Sequence, residues 1–362
     1  MKLQRQGTLA CLALTATIAL AGCGSDNPNT GNAVAPKGDC AKGSLTTQGS
    51  SAQKNAMAEW ITAYQGKCKD AKIDYQPTGS GAGVEAFISG TADFAGSDSA
   101  LKDDEQPKAD ERCKTGPAIH LPMVVGPIAV AYNLEGVNLQ FKPATIAKIF
   151  AGKIKKWDDP AIKADNPDAK LPSTTIQTVH RSDESGTTDN FTKYLTAAAP
   201  TDWKFEGGKQ WTAPGGVGAK GSDGVAATVK KTPGSITYIE WSFVSVSGLQ
   251  AAKVANGAGE YTELTAESAG KTIGAAESTG SGDDLKLKID YNTKEAGAYP
   301  IVLVTYEIVC EKGSPADKVK LIKSFLTYTA SKDGQSKLTE IGYAPLPEQV
   351  RSKVETAAGK IA

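Results

Sequence analysis

Two apolar stretches set the terms for any fold of this chain. Residues 118–134 read AIHLPMVVGPIAVAYNL, and residues 299–312 read YPIVLVTYEIVCEK. Each is rich in β-branched and aromatic residues and longer than an ordinary strand. Gly126-Pro127 interrupts the first. Around them, short β-like runs alternate with helical patterns: SLTTQGSS precedes AQKNAMAEWITAYQGK, KIDYQPTGSGAG precedes VEAFISGTA, and TTIQTVHRSDESG precedes TTDNFTKYLTAAA. Such alternation implies an α/β fold around a largely parallel sheet. Two long strands, at about residues 123–132 and 300–309, divide the chain into outer and inner parts and are expected to cross between two lobes. Residues 39–125 and 303–362 then form one lobe and residues 126–302 the other, with a ligand cleft between them. Residues 250–295 carry no pattern that assigns them to helix or strand.

The N-terminus reads as an export signal. MKLQRQ carries two positive charges, and Thr8 to Ala21 is an uncharged, mostly apolar run. It is too short for a comfortable membrane span and suits a secretory signal. It ends in Leu20-Ala21-Gly22-Cys23, small residues before a cysteine, which resembles a bacterial lipobox. Residues 1–22 are therefore expected to be a lipoprotein signal, with Cys23 lipidated. Residues 23–38, containing GSDNPNTGNAVAPKG, are expected to be a flexible tether that cannot bury a core. No second apolar run could span a bilayer, so lipid on Cys23 would supply the membrane anchoring.

Lys and Arg together number 40, as do Asp and Glu, so the formal net charge is zero. That balance argues against a nucleic-acid partner. Of six cysteines, Cys11 leaves with the signal and Cys23 takes the lipid. Four remain in an exported chain, which suggests disulfides. Cys40 and Cys68 each precede an apparent strand, so neighbouring parallel strands would bring them together. That favours Cys40–Cys68 and Cys113–Cys310 among three possible pairings. No Cys-x-x-Cys spacing and only two histidines argue against a zinc site.

Three strand-to-helix junctions share one chemistry: Gly49-Ser50-Ser51-Ala52, Thr78-Gly79-Ser80-Gly81-Ala82-Gly83 and Ser185-Gly186-Thr187. The first amides of a helix lack internal acceptors, and the dipole is positive there. Glycines let an anion approach, and hydroxyls add donors. Serine and threonine also cap helices everywhere, so one junction says little, while three together point to an anion. Arg181 stands four residues before Ser185 and can grip an anion bidentately, with Asp183 close enough to brace it. The bland alternative is a surface salt bridge of small worth. His180, Asp183 and Ser185 make a poor triad, because neighbours at a strand end diverge. No GxSxG elbow, P-loop lysine pattern or HExxH motif is present. Lys153, Lys155 and Lys156 beside Trp157 read as a solvated face over a packed indole. His120 reads as a core or strand residue, and His180 as a neighbour that orders the loop.

GTADFAGSDSAL, GKIKKWDDPAI, HRSDESGT, GAKGSDGVAATV and the terminal GYAPLP, taken together, resemble the phosphate-binding receptor family of bacterial phosphate-specific ABC transporters. The similarity covers nearly all of the chain beyond the tether. It implies a type II periplasmic-binding-protein-like fold of two α/β lobes, with one dehydrated phosphate in the cleft. By the same resemblance, Ser80 is a ligand donor, Asp98 an acceptor, and Arg181, Ser185, Gly186 and Thr187 the cluster of the second lobe. The first junction departs from the family pattern of Thr-Phe. Here Ser51 keeps the hydroxyl and Ala52 the amide, but the aromatic cover is lost.

A carboxylate in an anion site is favourable only if the ligand brings a proton. Phosphate does so near neutral pH and sulfate does not, so Asp98 would discriminate through an acceptor left unpaired. The expected function is a lipid-anchored, extracytoplasmic receptor that hands phosphate to an ABC permease, without cofactor or metal and as a monomer. Two alternatives stay open: an exported phosphatase-like enzyme in the same cleft, and a receptor for another oxyanion such as sulfate or molybdate.

Overall fold

The computed structural model describes residues 40–362; the expected signal 1–22, Cys23 and the tether 23–38 lie outside the described residues. The described chain opens with β1 (Gly43–Gly49), α1 (Lys54–Lys67), β2 (Ala71–Gln76), α2 (Ser80–Ile88), β3 (Ala95–Ser97) and α3 (Gln106–Cys113). The long β4 (Ala118–Tyr132) leads to β5 (Gln140–Phe141), α4 (Pro143–Phe150), α5 (Pro160–Asp165), β6 (Gln177–Arg181) and α6 (Gly186–Ala198). Next come β7 (Val217–Ala219), α7 (Gly221–Lys231), β8 (Ser235–Glu240) and α8 (Trp241–Ser247). The stretch without a sequence pattern holds β9 (Gln250–Ala251), β10 (Lys253–Ala255), β11 (Tyr261–Thr262), α9 (Ala266–Gly274), β12 (Glu277–Ser278) and β13 (Leu287–Lys288). The chain ends with β14 (Val302–Cys310), α10 (Val319–Ala330), α11 (Lys332–Ser336) and α12 (Glu348–Ala358).

The main sheet runs β2-β1-β3-β14-β4-β8-β6-β7, with β9 also on β4. Its two outer sets, β2-β1-β3 and β8-β6-β7, are each parallel and each define a lobe. Between them β14 and β4 run antiparallel. Every residue of both strands is buried, which is why they read as continuous apolar runs rather than alternating ones. Gly126-Pro127 does not interrupt β4, contrary to the sequence expectation. It marks the place where β4 changes partner: Ala118 to Pro127 pair with β14, and Ile128 to Tyr132 pair with β8. A proline has no N–H for the ladder and is tolerated where a register ends. The second proline, Pro122, sits beside the register shift between Thr305 and Tyr306, where a bulge relieves the same deficit.

Helices pack against the sheet. In α1, Ala56, Met57, Trp60 and Tyr64 are buried at helical spacing, and Trp60 Nε1 donates to the Gly334 carbonyl at 2.5 Å. Burying each large apolar side chain contributes roughly 1.5–3 kcal/mol. Trp157 is likewise buried and donates to the Gly234 carbonyl at 3.0 Å, while the neighbouring lysines stay out of the core. His120 is a strand residue of the core: Nε2 accepts from the Leu101 amide at 2.9 Å and Nδ1 meets Asp284 Oδ1 at 2.7 Å. Among the described residues no helix is long and apolar enough to cross a membrane.

Both expected disulfides are present, Cys40–Cys68 and Cys113–Cys310. The first joins the entries to the parallel neighbours β1 and β2, and the second ties the end of α3 to the end of β14. They span 28 and 197 residues of sequence. If a disulfide acts mainly by restricting the unfolded chain, removing Cys113–Cys310 should cost roughly 1–2 kcal/mol more than removing Cys40–Cys68. Paired Cys→Ser variants compared by denaturant unfolding measure the difference. Equal losses, or the reverse order, would rule out that mechanism here.

Candidate functional site

The three junctions read from the sequence meet where the lobes face each other. Gly49-Ser50-Ser51 follows β1, Gly79 precedes α2, Asp98 follows β3, and Arg181 to Thr187 join β6 to α6. Ser51, Ser80, Asp98, Arg181, Ser185 and Thr187 are all buried. Gly79 has φ 103, a left-handed value that a side chain would resist, and this turn aims the start of α2 across the cleft. Ser185 caps α6 by accepting from the Thr188 amide at 3.2 Å, and its own amide donates to the Lys209 carbonyl at 2.9 Å.

Hydroxyls hold Asp98. Ser50 Oγ donates to Oδ1 at 2.5 Å, Thr305 Oγ1 to Oδ1 at 2.8 Å, and Ser80 Oγ to Oδ2 at 3.0 Å. Burial pushes the Asp98 carboxyl up to about 6; the Ser50 hydrogen bond opposes this, and the negative charge of Glu240 adds to it. The carboxylate is thus fixed in place but kept close to taking a proton. Ser50 also accepts from the Ala52 amide at 3.0 Å, so that amide turns back into its own junction.

Asp183 grips Arg181 with both oxygens: Nε donates to Oδ1 at 2.7 Å and Nη2 to Oδ2 at 2.5 Å. Burial alone would lower the guanidinium, but the Asp183 hydrogen bonds and charge outweigh it and raise it. Burial would raise Asp183, and the same pairing holds it below the usual carboxylate range. The pair therefore stays charged though Arg181 is buried. The remaining nitrogen, Nη1, turns toward Thr187 Oγ1 at 3.5 Å and Ser222 Oγ at 3.4 Å. Thr187 donates its hydroxyl to Glu240, the last residue of β8. His180 packs beside the site, stacked on Trp211 and meeting the Arg181 carbonyl with Nδ1.

The lobes touch directly around this cluster. Ser51 Oγ and Ser222 Oγ are 2.9 Å apart, the Gly186 amide donates to Ser80 Oγ at 3.3 Å, and the Gly81 amide donates to the Glu184 carbonyl at 3.2 Å. Close approach requires missing side chains. A Cβ on Gly186 would lie 2.4 Å from Asp98 Cβ, and one on Gly81 2.2 Å from Glu184 Oε2. Asn190 bridges the Asp98 and Gly186 carbonyls at 2.7 and 2.8 Å. Farther out, Lys54 pairs with Asp223 at 2.7 Å, and the buried Lys209 lies 3.5 Å from Glu105. Among the described residues no group of acidic, histidine or cysteine side chains is placed to hold a metal ion.

Several members were not read from the sequence. Ser50 stands inside the first junction but carried no role of its own in the sequence reading, and Ser222 lies in Gly221-Ser222, a Gly-Ser step outside the three junctions. Asn190, Glu240, Thr305 and Glu307 sit on a helix and strands with no local pattern to mark them.

The two-lobed architecture, its lobes joined through a shared pair of buried strands around a polar cleft, is that of a solute receptor. A family model for the PBP superfamily domain matches residues 34–333. The chain is 43% identical over 372 residues to phosphate-binding protein PstS 3 of Mycobacterium tuberculosis strain ATCC 25618 / H37Rv, and 44% identical over 373 residues to that of Mycobacterium leprae, covering 100% of both partners in each case. It is 32% identical to phosphate-binding protein PstS of Xylella fastidiosa, covering 96% of each. Among solved structures, the phosphate-binding protein of Stenotrophomonas maltophilia matches with a TM-score of 0.68 at 20% identity, over 87% of this chain and 94% of that one. A phosphate-bound periplasmic protein, PfluDING, matches with a TM-score of 0.70 at 22% identity, over 87% and 93%. The chain belongs to the PstS family of phosphate-binding proteins, within the PBP superfamily.

Behind the site, Glu307 of β14 is fully buried, and neither carboxyl oxygen has a hydrogen-bond partner among the described residues. Burial pushes it up to about 8; Gln53 pulls the other way, and the charge of Asp98 adds to the rise. The folded state thus keeps this proton to about pH 8, whereas an ordinary glutamate releases it near 4.5. Between those values the unfolded state binds fewer protons, so stability falls as pH rises, and the loss is complete above the folded value. Glu307→Gln should escape this loss. Relative to wild type, its unfolding free energy should climb by a few kcal/mol from about pH 5 to about pH 8. Denaturant unfolding across that range tests it, and parallel curves for the two proteins would contradict it.

Proposed function

We propose that this protein captures inorganic phosphate outside the cytoplasm and delivers it to an ABC permease for import. The observation that carries the reading is the meeting of two unlike groups across one cleft. Arg181 brings a braced positive charge from the second lobe, and Asp98 brings a hydroxyl-held acceptor from the first. Only an anion that also carries a proton satisfies both. The family to which the chain belongs is named for that ligand. Ser51, Ala52, Ser80, Asp98, Arg181, Ser185, Gly186 and Thr187 are the proposed phosphate contacts, with the Ala52 and Gly186 amides exchanging Ser50 Oγ and Ser80 Oγ for the ligand and Asp183 orienting Arg181. Residues 39–125 and 303–362 act as one lobe and 126–302 as the other, and phosphate favours closure because only the closed cleft offers both donor sets. The protein acts as a monomer, without cofactor, and binds rather than transforms its ligand.

Calorimetry of the purified protein, stripped of ligand, tests this. Phosphate and arsenate should bind far more tightly than sulfate at neutral pH; equal affinity for sulfate would remove the assigned role of Asp98. Arg181→Ala should weaken phosphate binding by roughly 2–5 kcal/mol, about 30- to several-thousand-fold, because a buried charged contact is lost and Asp183 is left unpaired. Arg181→Lys should recover only part, since a point charge cannot reproduce the guanidinium fork. Near-wild-type affinity in Arg181→Ala would move the ligand elsewhere.

Attachment follows from lipid on Cys23 after removal of residues 1–22. The supporting feature is the apolar run closing on Leu20-Ala21-Gly22-Cys23. Cys23→Ser should bind phosphate unchanged but leave the membrane fraction on cell fractionation. A variant that stays with the membrane would show that something other than this lipid holds it.

A further inference from the structure

Lys155 and Lys156 do not stand alone on their face of the second lobe. The Ile176 amide donates to the Lys155 carbonyl at 2.9 Å, and Lys156 pairs with Thr175 as an isolated antiparallel bridge. Both lysines are thereby fixed at the entry to β6. The adjoining Trp157 donates through Nε1 to the Gly234 carbonyl at 3.0 Å, and the Gln177 amide donates to the same carbonyl at 3.2 Å. Gly234 lies just past Lys230 and Lys231, which close α7, so these two lysines reach the entry to β8, the neighbour of β6. All four are exposed, and none has an ion-pair partner among the described residues. Residues 171–178 and 232–239, which lead into the two strands, carry no charge. Asp159 is spent on capping α5, Asp158 is half-buried, and the exposed Glu135 after β4 pairs with none of the four. The carbonyl end of α7 favours cations and accounts for Lys230 and Lys231. It does not account for Lys155 and Lys156, which come to the same place from another element.

The position of this face in the molecule gives it a meaning. β1, β2 and β3 run toward the cleft in the first lobe, and β6 and β8 run toward it in the second, so their starts mark opposite ends. Cys40, bonded to Cys68 at the entry to β1 and β2, roots the N-terminal segment at one end; the four lysines stand at the other. β4 joins the two ends with fifteen residues, roughly 50 Å of strand. The chain from Cys23 to Cys40 can reach at most roughly 60 Å, enough for either end to meet the surface that holds Cys23. We propose that the lysine face at the entries to β6 and β8 is a contact surface for anionic phospholipid headgroups, so that the tethered protein lies along the bilayer, lipid at one end and lysines at the other. The inference rests on the reading of Cys23 as the lipid-bearing residue. A lipid chain and a basic patch are complementary signals: the chain raises the local concentration of headgroups, and the patch adds a charge-dependent contact. The whole chain has zero formal net charge, so the attraction belongs to this face and orients the molecule. Four exposed lysines alone are weak and screened by salt, so Cys23→Ser still leaves the membrane fraction at physiological ionic strength. Lying along the bilayer keeps the cleft, midway between the ends, at the membrane surface where a permease sits.

The test is co-sedimentation of the Cys23→Ser protein, which carries no lipid, with vesicles at low salt. Vesicles of equal parts phosphatidylglycerol and phosphatidylcholine should bring it down, phosphatidylcholine alone should not, and about 0.5 M salt should release it. Lys155→Gln, Lys156→Gln, Lys230→Gln and Lys231→Gln together should weaken binding to the anionic vesicles by at least about tenfold. The same loss of charge at the opposite end, through Lys42→Gln, Lys69→Gln, Lys312→Gln and Lys320→Gln, should leave binding within about threefold. All eight side chains are exposed, and unchanged phosphate affinity in both variants confirms that they fold. Equal binding to the two kinds of vesicle overturns the proposal, as do wild-type binding by the first variant and equal losses in both. Binding to soluble inorganic polyphosphate without binding to vesicles overturns it as well. Mass spectrometry of the wild-type N-terminal peptide reports the lipid on Cys23 separately, so failure of that reading can be told apart from failure of this one.

Discussion

The change of partner along β4 is the constraint on which the rest of the structure depends. One strand of fifteen residues gives its first part to β14 and its last part to β8, and through these two neighbours it holds the two parallel sets on either side. Because every residue of β4 and β14 is buried, neither lobe can shed this pair without exposing core. The lobes remain tied by continuous backbone hydrogen bonding near the cleft floor, while their far edges carry separate helices. Thr305 and Glu307, on β14, put side chains from this shared pair beside Asp98 and so connect the ligand site to the joint between lobes.

Electrostatics at the site follows from burial more than from the number of charges. Arg181 keeps its charge because Asp183 meets it at two points, and Asp98 rises toward neutrality because burial outweighs the hydroxyl hydrogen bonds that pull it down. The same desolvation thus has opposite results in the two lobes. The second lobe holds a permanent ion pair, and the first holds a carboxyl balanced between states. Lys54–Asp223 and Lys209–Glu105 add attraction between the lobes at the rim. The exposed Lys54 pair is screened by salt, whereas the Lys209 pair, buried on one side, is screened less.

Sequence reasoning reached the features that leave a local trace. The α/β alternation, both disulfides, the Arg181–Asp183 brace and the convergence of three Gly-Ser or Ser-Gly junctions could all be read from neighbouring residues. Gly126-Pro127 misled because a Gly-Pro pair usually ends a strand, whereas here it falls at a hand-over between partners. Residues 250–295 were opaque because their strands are two or three residues long, below the length at which periodicity exists. Glu240, Thr305 and Glu307 escaped for a different reason. They are single polar residues in buried strands, and only the sheet order brings them to Asp98 and Thr187.

Gly79, Gly81 and Gly186 make the closeness of the cleft a matter of atoms that are not there. Any replacement of these glycines brings in a larger residue, which would set a Cβ against Asp183, Glu184 or Asp98 of the opposite lobe. The serines around them can drift to alanine or threonine in small steps, trading one hydrogen bond at a time. The glycines have no such intermediate. Variation in this cleft is therefore expected to be lopsided, gradual in its donors and all-or-none in its spacing, so that a lineage could retune which anion it prefers far more easily than it could change how tightly the two lobes shut.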